Sequence, residues 1–242
     1  MVSKGFHEPV AKPRRFYKVV EVVADAGGLG VRLDGRSTRT PKGARQVLPT
    51  EALARMVADE WAAQGEIIEL SGMHATRLAN TALEAVPAAR EATADTLAQY
   101  AGSDLLCYFA EAPQSLVQRQ ADRWGPVLDR AEREFAVAFV RAAGVVHQPQ
   151  PDATIARIRT LALEQDDFRL AGLAFGASLF GSAVLVFSLM QGWLSGEQAL
   201  ELSRLDEVFQ EEQWGVDAEA AERTARLTLE ARMLEQWFKA LA

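Results

Sequence analysis

The sequence predicts an α+β protein in which a small antiparallel, β-rich N-terminal domain precedes a mostly α-helical C-terminal domain built around a central apolar helix. Short runs of aromatic and β-branched residues between glycine turns predict the strands, and they lie before residue 75. Beyond residue 75 the apolar residues recur at helical spacing. The uncharged stretch of residues 170–196 is typical of a helix covered on every side, and it predicts the central helix.

The same shift in pattern predicts the domain organisation. Residues 1–14 are basic and polar and lack the apolar core of a secretory signal, so we expect a disordered tail there. Residues 15–75 then form the β-rich domain and residues 76–242 the helical domain. Hydrophobic residues make up 49% of the chain, which is ample for a core.

The N-terminal strands are predicted over residues 15–24, 29–33, 36–40 and 46–48. Asp34-Gly35 is typical of a short hairpin, because glycine takes positive φ freely. A small sheet needs a cover on its apolar face. A helix over residues 51–64, capped by Thr50, is expected to supply that cover through Leu53, Val57 and Trp61.

The remaining elements are predicted to be helical. Gly125-Pro126 is expected to kink or interrupt the longest helix, because proline removes a backbone donor. Ser195 and Asp217 are expected to cap the last two helices, and Gly215 to end the first of them. The final helix has an apolar seam at four–three spacing, suited to packing on another helix. Three helices are predicted to begin at Arg77, just after Pro87, and at Ser103. Further helices are predicted over residues 114–142, 152–164, 196–213 and from 217 onward.

The uncharged stretch is also long enough to cross a bilayer, for which about 20 apolar residues suffice. Serines and glycines dilute its hydrophobicity, and lysine and arginine do not cluster beside it. We therefore predict a helix buried within the protein, with a single-span membrane protein as the alternative. Gly172, Gly176 and Gly181 weaken helix propensity and predict close approach of neighbouring helices.

Composition narrows the function classes. A net charge of −7 argues against a nucleic-acid-binding protein, which usually has a basic surface. The single cysteine excludes an intrachain disulfide and favours a reducing compartment such as the cytoplasm. His7, His74 and His147 have no cysteine or histidine at ligand spacing, so no metal site is expected.

A few isolated polar residues stand beside apolar ones, as the residues of an active site can. A small-molecule enzyme with a carboxylate site is therefore a second alternative. Its candidates are Asp104, Cys107 and Glu207, and it requires a pocket that joins them. We expect instead that Cys107 is a buried structural thiol and that Asp104 is a helix cap or internal hydrogen-bond acceptor. Trp61, Trp124 and Trp214 are expected to pack in the core or between domains.

The acidic helix before Gly215 is the main candidate surface. Leu202, Leu205 and Phe209 form its buried stripe, and Glu207 and Glu211 lie together on its outer side. A solvated face, a docking face for a basic partner and paired catalytic carboxylates all remain open. Asp206, Gln210 and Gln213 share a flank, and Arg204 precedes Glu207 by three residues.

Motifs in a specific order and spacing run from about residue 15 to the C-terminal region. The motifs are Gly35-Arg36 with Arg39-Thr40-Pro41; Glu60-Trp61 with Gln64; Leu78 to Ala82; Tyr100 with Ser103 to Tyr108; Gln120 with Trp124; Gly181-Ser182; and Asp206-Glu207, Gln210 and Trp214-Gly215. Together they resemble the F-type ATP synthase assembly chaperone family, whose members handle the alpha subunit of the catalytic head. Gly125 and His74-Ala75 depart from the family's pattern, since an acidic residue and a proline with an aliphatic residue are expected there.

The resemblance implies a non-enzymatic protein without a cofactor or metal. Such a protein binds the unassembled alpha subunit at its nucleotide-binding domain and shields the surface that later contacts the beta subunit. It implies no nucleic-acid partner, no stable membrane insertion and a monomer when free, in the bacterial cytoplasm or, in a eukaryote, the mitochondrial matrix. The partner-binding residues expected on this basis are Glu207 first, then Asp206, Gln210, Glu211 and Trp214.

Overall fold

The computed structural model describes residues 13–144, 146–215 and 218–242. It confirms the predicted fold class, with a small antiparallel sheet at the start and helices afterwards. Residues 1–12 of the tail predicted over residues 1–14, together with His7 and the Asp217 cap, lie outside the described residues. Residues 13 and 14 are part of the fold and not of a disordered tail, because the Pro13 carbonyl accepts from the Ile68 backbone at 2.8 Å and Arg14 forms a bridge with Ile67. The strands are β1 (Val20–Asp25), β2 (Gly28–Leu33), β3 (Arg36–Ser37), β4 (Val47–Leu48), β5 (Tyr108–Phe109) and β6 (Ala142–Ala143). The helices are α1 (Glu51–Ala62), α2 (His74–Glu84), α3 (Arg90–Gly102), α4 (Gln114–Phe135), α5 (Asp152–Leu163), α6 (Asp167–Phe180), α7 (Ala183–Met190), α8 (Gly196–Ser203), α9 (Leu205–Trp214) and α10 (Ala218–Ala240).

The N-terminal sheet is centred on β2, which pairs antiparallel with β1, β3 and β4. Thr50 caps α1 as predicted, accepting a hydrogen bond from the backbone nitrogen of Leu53 at 3.2 Å. Leu53 and Val57 are fully buried in the core that α1 shares with the sheet. The first strand begins at Val20 rather than at residue 15. The Asp34 carboxylate accepts the amides of residues 18 and 19, which therefore hydrogen-bond to the hairpin turn instead of a neighbouring strand.

The uncharged stretch forms two helices, α6 and α7, so the single central helix predicted from the sequence is wrong in this detail. Gly181 ends α6 with a φ of 65°, a left-handed conformation that glycine tolerates. Ser182 then caps α7 by accepting from the backbone nitrogen of Leu185. Every residue from Ala183 to Leu189 is buried. Among the described residues, no helix is long and apolar enough to span a membrane.

Of the three glycines in this stretch for which close helix packing is predicted, two permit it. A Cβ atom on Gly172 would lie 2.9 Å from the Phe238 ring. One on Gly176 would lie 2.3 Å from Val186 and 2.7 Å from Leu234. Gly181 has nothing within 4 Å of its Cβ position, so its role is the turn and not close approach.

Several predicted helices have other boundaries. α4 continues through Gly125-Pro126 without interruption and ends at Phe135 instead of residue 142, because Ala136 adopts a left-handed φ of 55°. The helix predicted from Ser103 is instead a 3₁₀ turn followed by β5, which pairs in parallel with β6. The helix predicted over residues 196–213 is divided at Arg204 into α8 and α9, although Ser195 and Gly215 bound it as expected.

The apolar seam predicted for the last helix is fully packed only in the second half of α10. Its positions Ala231, Leu234 and Phe238 are buried against the helical core, whereas Leu227 is half-buried. The residues from 218 to 230 are exposed or half-buried. In the first half of α10, the seam positions are therefore not fully covered by another helix of this chain.

Candidate partner-binding surface

The acidic helix predicted before Gly215 is α9, and its inner face packs as expected. Leu205 and Phe209 are buried, as is Leu202 at the end of α8. The Trp124 indole on α4 donates to the Leu202 carbonyl at 2.9 Å, which fixes the α8–α9 junction against α4. Because this junction is held to the core, the outer face of α9 is a rigid surface.

Arg204 brings together the two carboxylates predicted to lie on the outer side. Its guanidinium donates to Glu207 Oε2 at 2.8 Å and to Glu211 Oε1 at 2.7 Å. The Arg204 side chain is only 12% exposed, whereas that of Glu207 is 52% exposed. Glu207 is thus held in place from below and still presents its carboxylate to solvent.

Asp206 faces the opposite way and has a structural contact. The Gln120 side-chain amide on α4 donates to Asp206 Oδ1 at 2.7 Å. Its oxygen, Oε1, accepts from the backbone nitrogen of Ala110, also at 2.7 Å. Burial raises the pKa of Asp206 above its ordinary value, and the Gln120 hydrogen bond opposes that rise. Asp206 therefore joins α9 to α4, while Gln210 one turn further on is exposed.

Trp214 is 88% exposed at the C-terminal end of α9, so the prediction that it packs in the core or between domains is wrong. The other two tryptophans of that prediction do pack inside. Trp124 is buried edge-on to Phe109 at 5.6 Å, and Trp61 is half-buried edge-on to Tyr17 at 5.8 Å. Trp214 follows the buried Phe209 by five residues, a spacing that already places it off the apolar stripe.

A further ion pair on α9 was missed by the sequence reasoning. Arg119 on α4 binds Glu212 through both terminal nitrogens, at 2.9 and 2.8 Å, and its guanidinium lies 5.0 Å from the Phe209 ring centroid. The two residues are 93 positions apart, so no local pattern joins them. The guanidinium also lies over the buried Phe209 ring, so a cation–π contact accompanies the ion pair.

The candidates for an enzyme site are dispersed. Asp104 is fully buried and accepts from Ser182 Oγ at 2.6 Å and from the Val184 backbone at 3.0 Å, which confirms an internal acceptor. Cys107 is buried as predicted, and burial raises the pKa of its thiol. Glu207 lines a cleft of about 430 Å³ to which neither Asp104 nor Cys107 contributes.

The histidines within the described ranges have separate partners. His74 Nδ1 lies 3.8 Å from Glu230 Oε1, and His147 Nδ1 lies 2.9 Å from the Tyr108 hydroxyl. Within residues 13–144, 146–215 and 218–242, no group of three histidine, cysteine or acidic side chains is placed to hold a metal ion.

Comparisons with known proteins identify relatives over nearly the whole chain. The family model described as ATP12 chaperone protein matches residues 14–132. The crystal structure of Atp12 from Paracoccus denitrificans is 38% identical, covers 95% of this chain and 98% of its own, and has a TM-score of 0.88. The Atu1473 protein of Agrobacterium tumefaciens is 40% identical, with coverage of 95% and 87% and a TM-score of 0.89. The mitochondrial protein atp12 of Schizosaccharomyces pombe is 25% identical over 221 residues, which are 86% of this chain and 76% of the relative.

Proposed function

We propose, since this chain belongs to the ATP12 chaperone family, that it is a non-enzymatic assembly chaperone that binds the unassembled alpha subunit of the F-type ATP synthase. It binds that subunit at the nucleotide-binding domain and shields the surface that later contacts the beta subunit. The family assignment confirms the resemblance found in the sequence. The observation that carries the proposal is the outer face of α9, where Glu207 and Trp214 are exposed on a helix fixed to the core.

The charge of α9 favours a basic partner. Asp206, Glu207, Glu211 and Glu212 lie within two turns. Arg204 and Arg119 bind the three glutamates, and the neutral Gln120 binds Asp206, so the carboxylates outnumber the arginines. Complementary charge steers association and fixes orientation more than it adds affinity. That suits a chaperone, which has to release the alpha subunit when the beta subunit arrives.

Trp214 supplies the apolar part of the same surface. Tryptophan is among the residues that contribute most to binding energy at protein interfaces. An unassembled subunit exposes an apolar interface of the kind that drives aggregation. One exposed indole beside exposed carboxylates therefore gives a contact of moderate size that covers apolar surface and remains partly polar.

The proposal assigns no catalytic residue, cofactor or metal. Asp104 is engaged as an internal acceptor, and the raised pKa of Cys107 keeps its thiol protonated at neutral pH. We place the protein, as a monomer when free, in the bacterial cytoplasm or, in a eukaryote, in the mitochondrial matrix. Relatives from both bacteria and mitochondria support that placement.

The test is the aggregation of purified alpha subunit, followed by light scattering without ATP. We expect an equimolar amount of this protein to suppress aggregation, and Glu207→Lys to weaken that suppression. Glu207 is itself 52% exposed, and Arg204 keeps its hydrogen bond to Glu211 after the substitution, so the melting temperature should change little. Glu91→Lys is the matched control, since Glu91 is an exposed carboxylate paired with Arg159 on another face.

Unchanged aggregation in the presence of the wild-type protein would refute the proposed function. A large drop in the melting temperature of Glu207→Lys would instead give Glu207 a structural role. If Glu91→Lys weakened suppression as much as Glu207→Lys, total charge and not the α9 surface would be responsible.

A further inference from the structure

A groove of about 430 Å³ lies beside α9, between α6 and the first half of α10. Phe175 and Leu179 of α6 and Leu227 of α10 give it an apolar lining, and each is only partly buried against the core. Glu207, the first of the expected partner-binding residues, lies on the α9 side. The groove is therefore continuous with the surface assigned to the partner under the proposed function.

The wall formed by α10 belongs to the first half of that helix and contains one position of its apolar seam, the half-buried Leu227. Arg223, Leu227 and Glu230 line the groove at positions i, i+4 and i+7, so they share one helix face. Four residues after Leu227, Ala231 is fully buried against this chain's own core. The same helix face thus packs on its own chain at one end and opens onto the groove at the other.

The groove is lined by two glutamates and two arginines, and Glu211 lies beside it. The Arg204 guanidinium is shared between Glu207 and Glu211, so the carboxylates on the α9 side exceed the arginine there by one. The opposite wall carries Glu230 and Arg223, and Arg223 forms no ion pair with any residue that the structure describes. The groove also runs over residues 178–181 at the C-terminal end of α6, where a helix carries partial negative charge, so one carboxylate and this helix end make the balance negative.

We propose that this groove receives a basic side chain of the alpha subunit together with a neighbouring apolar side chain. The aliphatic stem of a lysine or arginine would lie along Leu179 and Leu227, and its charged end would reach Glu207. The proposal rests on the proposed function and adds a location and a chemistry to it. It commits to a basic occupant because the carboxylates and the α6 terminus outweigh the one unpaired cation.

The first test fills the groove without removing a native contact. Ser178 is exposed on α6 and lines the groove, so Ser178→Trp should occupy the space while the protein folds normally. We expect the dissociation constant for purified alpha subunit, measured by calorimetry, to rise about tenfold. Gln99→Trp, at an exposed position of α3 outside the groove, should leave it unchanged.

The second test determines the sign of the occupant's charge. Removing the unpaired cation with Arg223→Gln should strengthen the binding of a basic segment by up to about fivefold, as expected for one exposed charge. Arg226→Gln, at an exposed position of the same helix that does not line the groove, is the matched control. A weaker interaction for Arg223→Gln alone would show an acidic occupant and overturn the proposal.

The failure of this inference differs from the failure of the proposed function. If the wild-type protein does not bind the alpha subunit, the proposed function fails. If the wild type binds, and Ser178→Trp, with an unchanged melting temperature, binds equally well, the α9 surface acts without the groove and only the present inference fails.

Discussion

Asp104 is a carboxyl group that the protein buries completely and surrounds with neutral hydrogen-bond donors. The Ser182 hydroxyl and the backbone nitrogens of Val184 and Leu106 donate to it. These bonds hold the 3₁₀ turn after Asp104 against the start of α7. Burial disfavours the charged form, and it raises the pKa of Asp104 to about 6 in spite of these hydrogen bonds.

The titration of Asp104 is expected to make stability depend on pH. The ordinary pKa of the carboxyl, 3.8, applies in the unfolded chain, so the unfolded state loses its proton first as pH rises. Relative to Asp104→Asn, the free energy of unfolding of the wild type should fall by roughly 2 kcal/mol between pH 4 and pH 7. Urea unfolding followed by circular dichroism at several pH values measures this difference. A difference that stays constant with pH would show that Asp104 does not titrate in this range.

Individual site residues were predictable where their partners lie within two helical turns. Arg204 and Glu207 are three positions apart, so helical spacing indicates their contact, whereas the bond from Arg204 to Glu211 spans seven positions from the α8–α9 junction. Gln120 and Asp206 are 86 positions apart, so the inward orientation of Asp206 depends on how α4 packs on α9. The exposure of Trp214 likewise depends on what the rest of the chain leaves uncovered.

At the scale of elements, the sequence predicted where helices begin better than where they are interrupted. Thr50 and Ser195 cap their helices through their own side chains, so a local pattern is sufficient. The break between α6 and α7 involves a distant group, because Ser182 donates to Asp104, which lies 78 residues earlier. Gly181 and Ser182 are the local signals of that break, and only the bond to Asp104 lies beyond any pattern within the uncharged stretch.

The crossing of α8 and α10 has no space for a side chain at Gly196. A Cβ atom there would lie 2.1 Å from the Ala231 carbonyl oxygen, which is backbone and cannot move aside alone. We expect Gly196→Ala to lower the free energy of unfolding by about 1–3 kcal/mol, as overpacking does. Urea unfolding measures the change.

Gly102→Ala is the matched control for this substitution. The new Cβ atom would meet only Ile155 Cδ1, at an ordinary contact distance of 3.7 Å. Stability should therefore be unchanged or slightly higher, because alanine has the better helix propensity. Equal effects of the two substitutions would mean that the α8–α10 crossing can separate without loss of stability.

At the scale of the whole molecule, the two predicted domains share one core. The Thr50 hydroxyl donates to the Ala240 carbonyl at 2.6 Å, and Gln46 donates to Asn80 at 2.8 Å. The Glu60 carboxylate accepts the Thr76 amide at 2.7 Å. A domain boundary near residue 75 remains a prediction. We propose that it divides a β-rich region from a helical region, and that the two regions unfold together.

Cooperative unfolding is the consequence that tests this proposal. If the sheet and the helices unfold together, Gly196→Ala should lower the protection of slowly exchanging amides in β1 and β2 as much as in α7. Hydrogen exchange measured by mass spectrometry under native conditions compares the two regions, since the slowest amides exchange through global unfolding. Because α1 bonds to both α2 and the end of α10, we expect equal losses of protection free energy. Sheet amides that keep their protection while those of α7 lose it would show two independent units, divided where the sequence pattern changes.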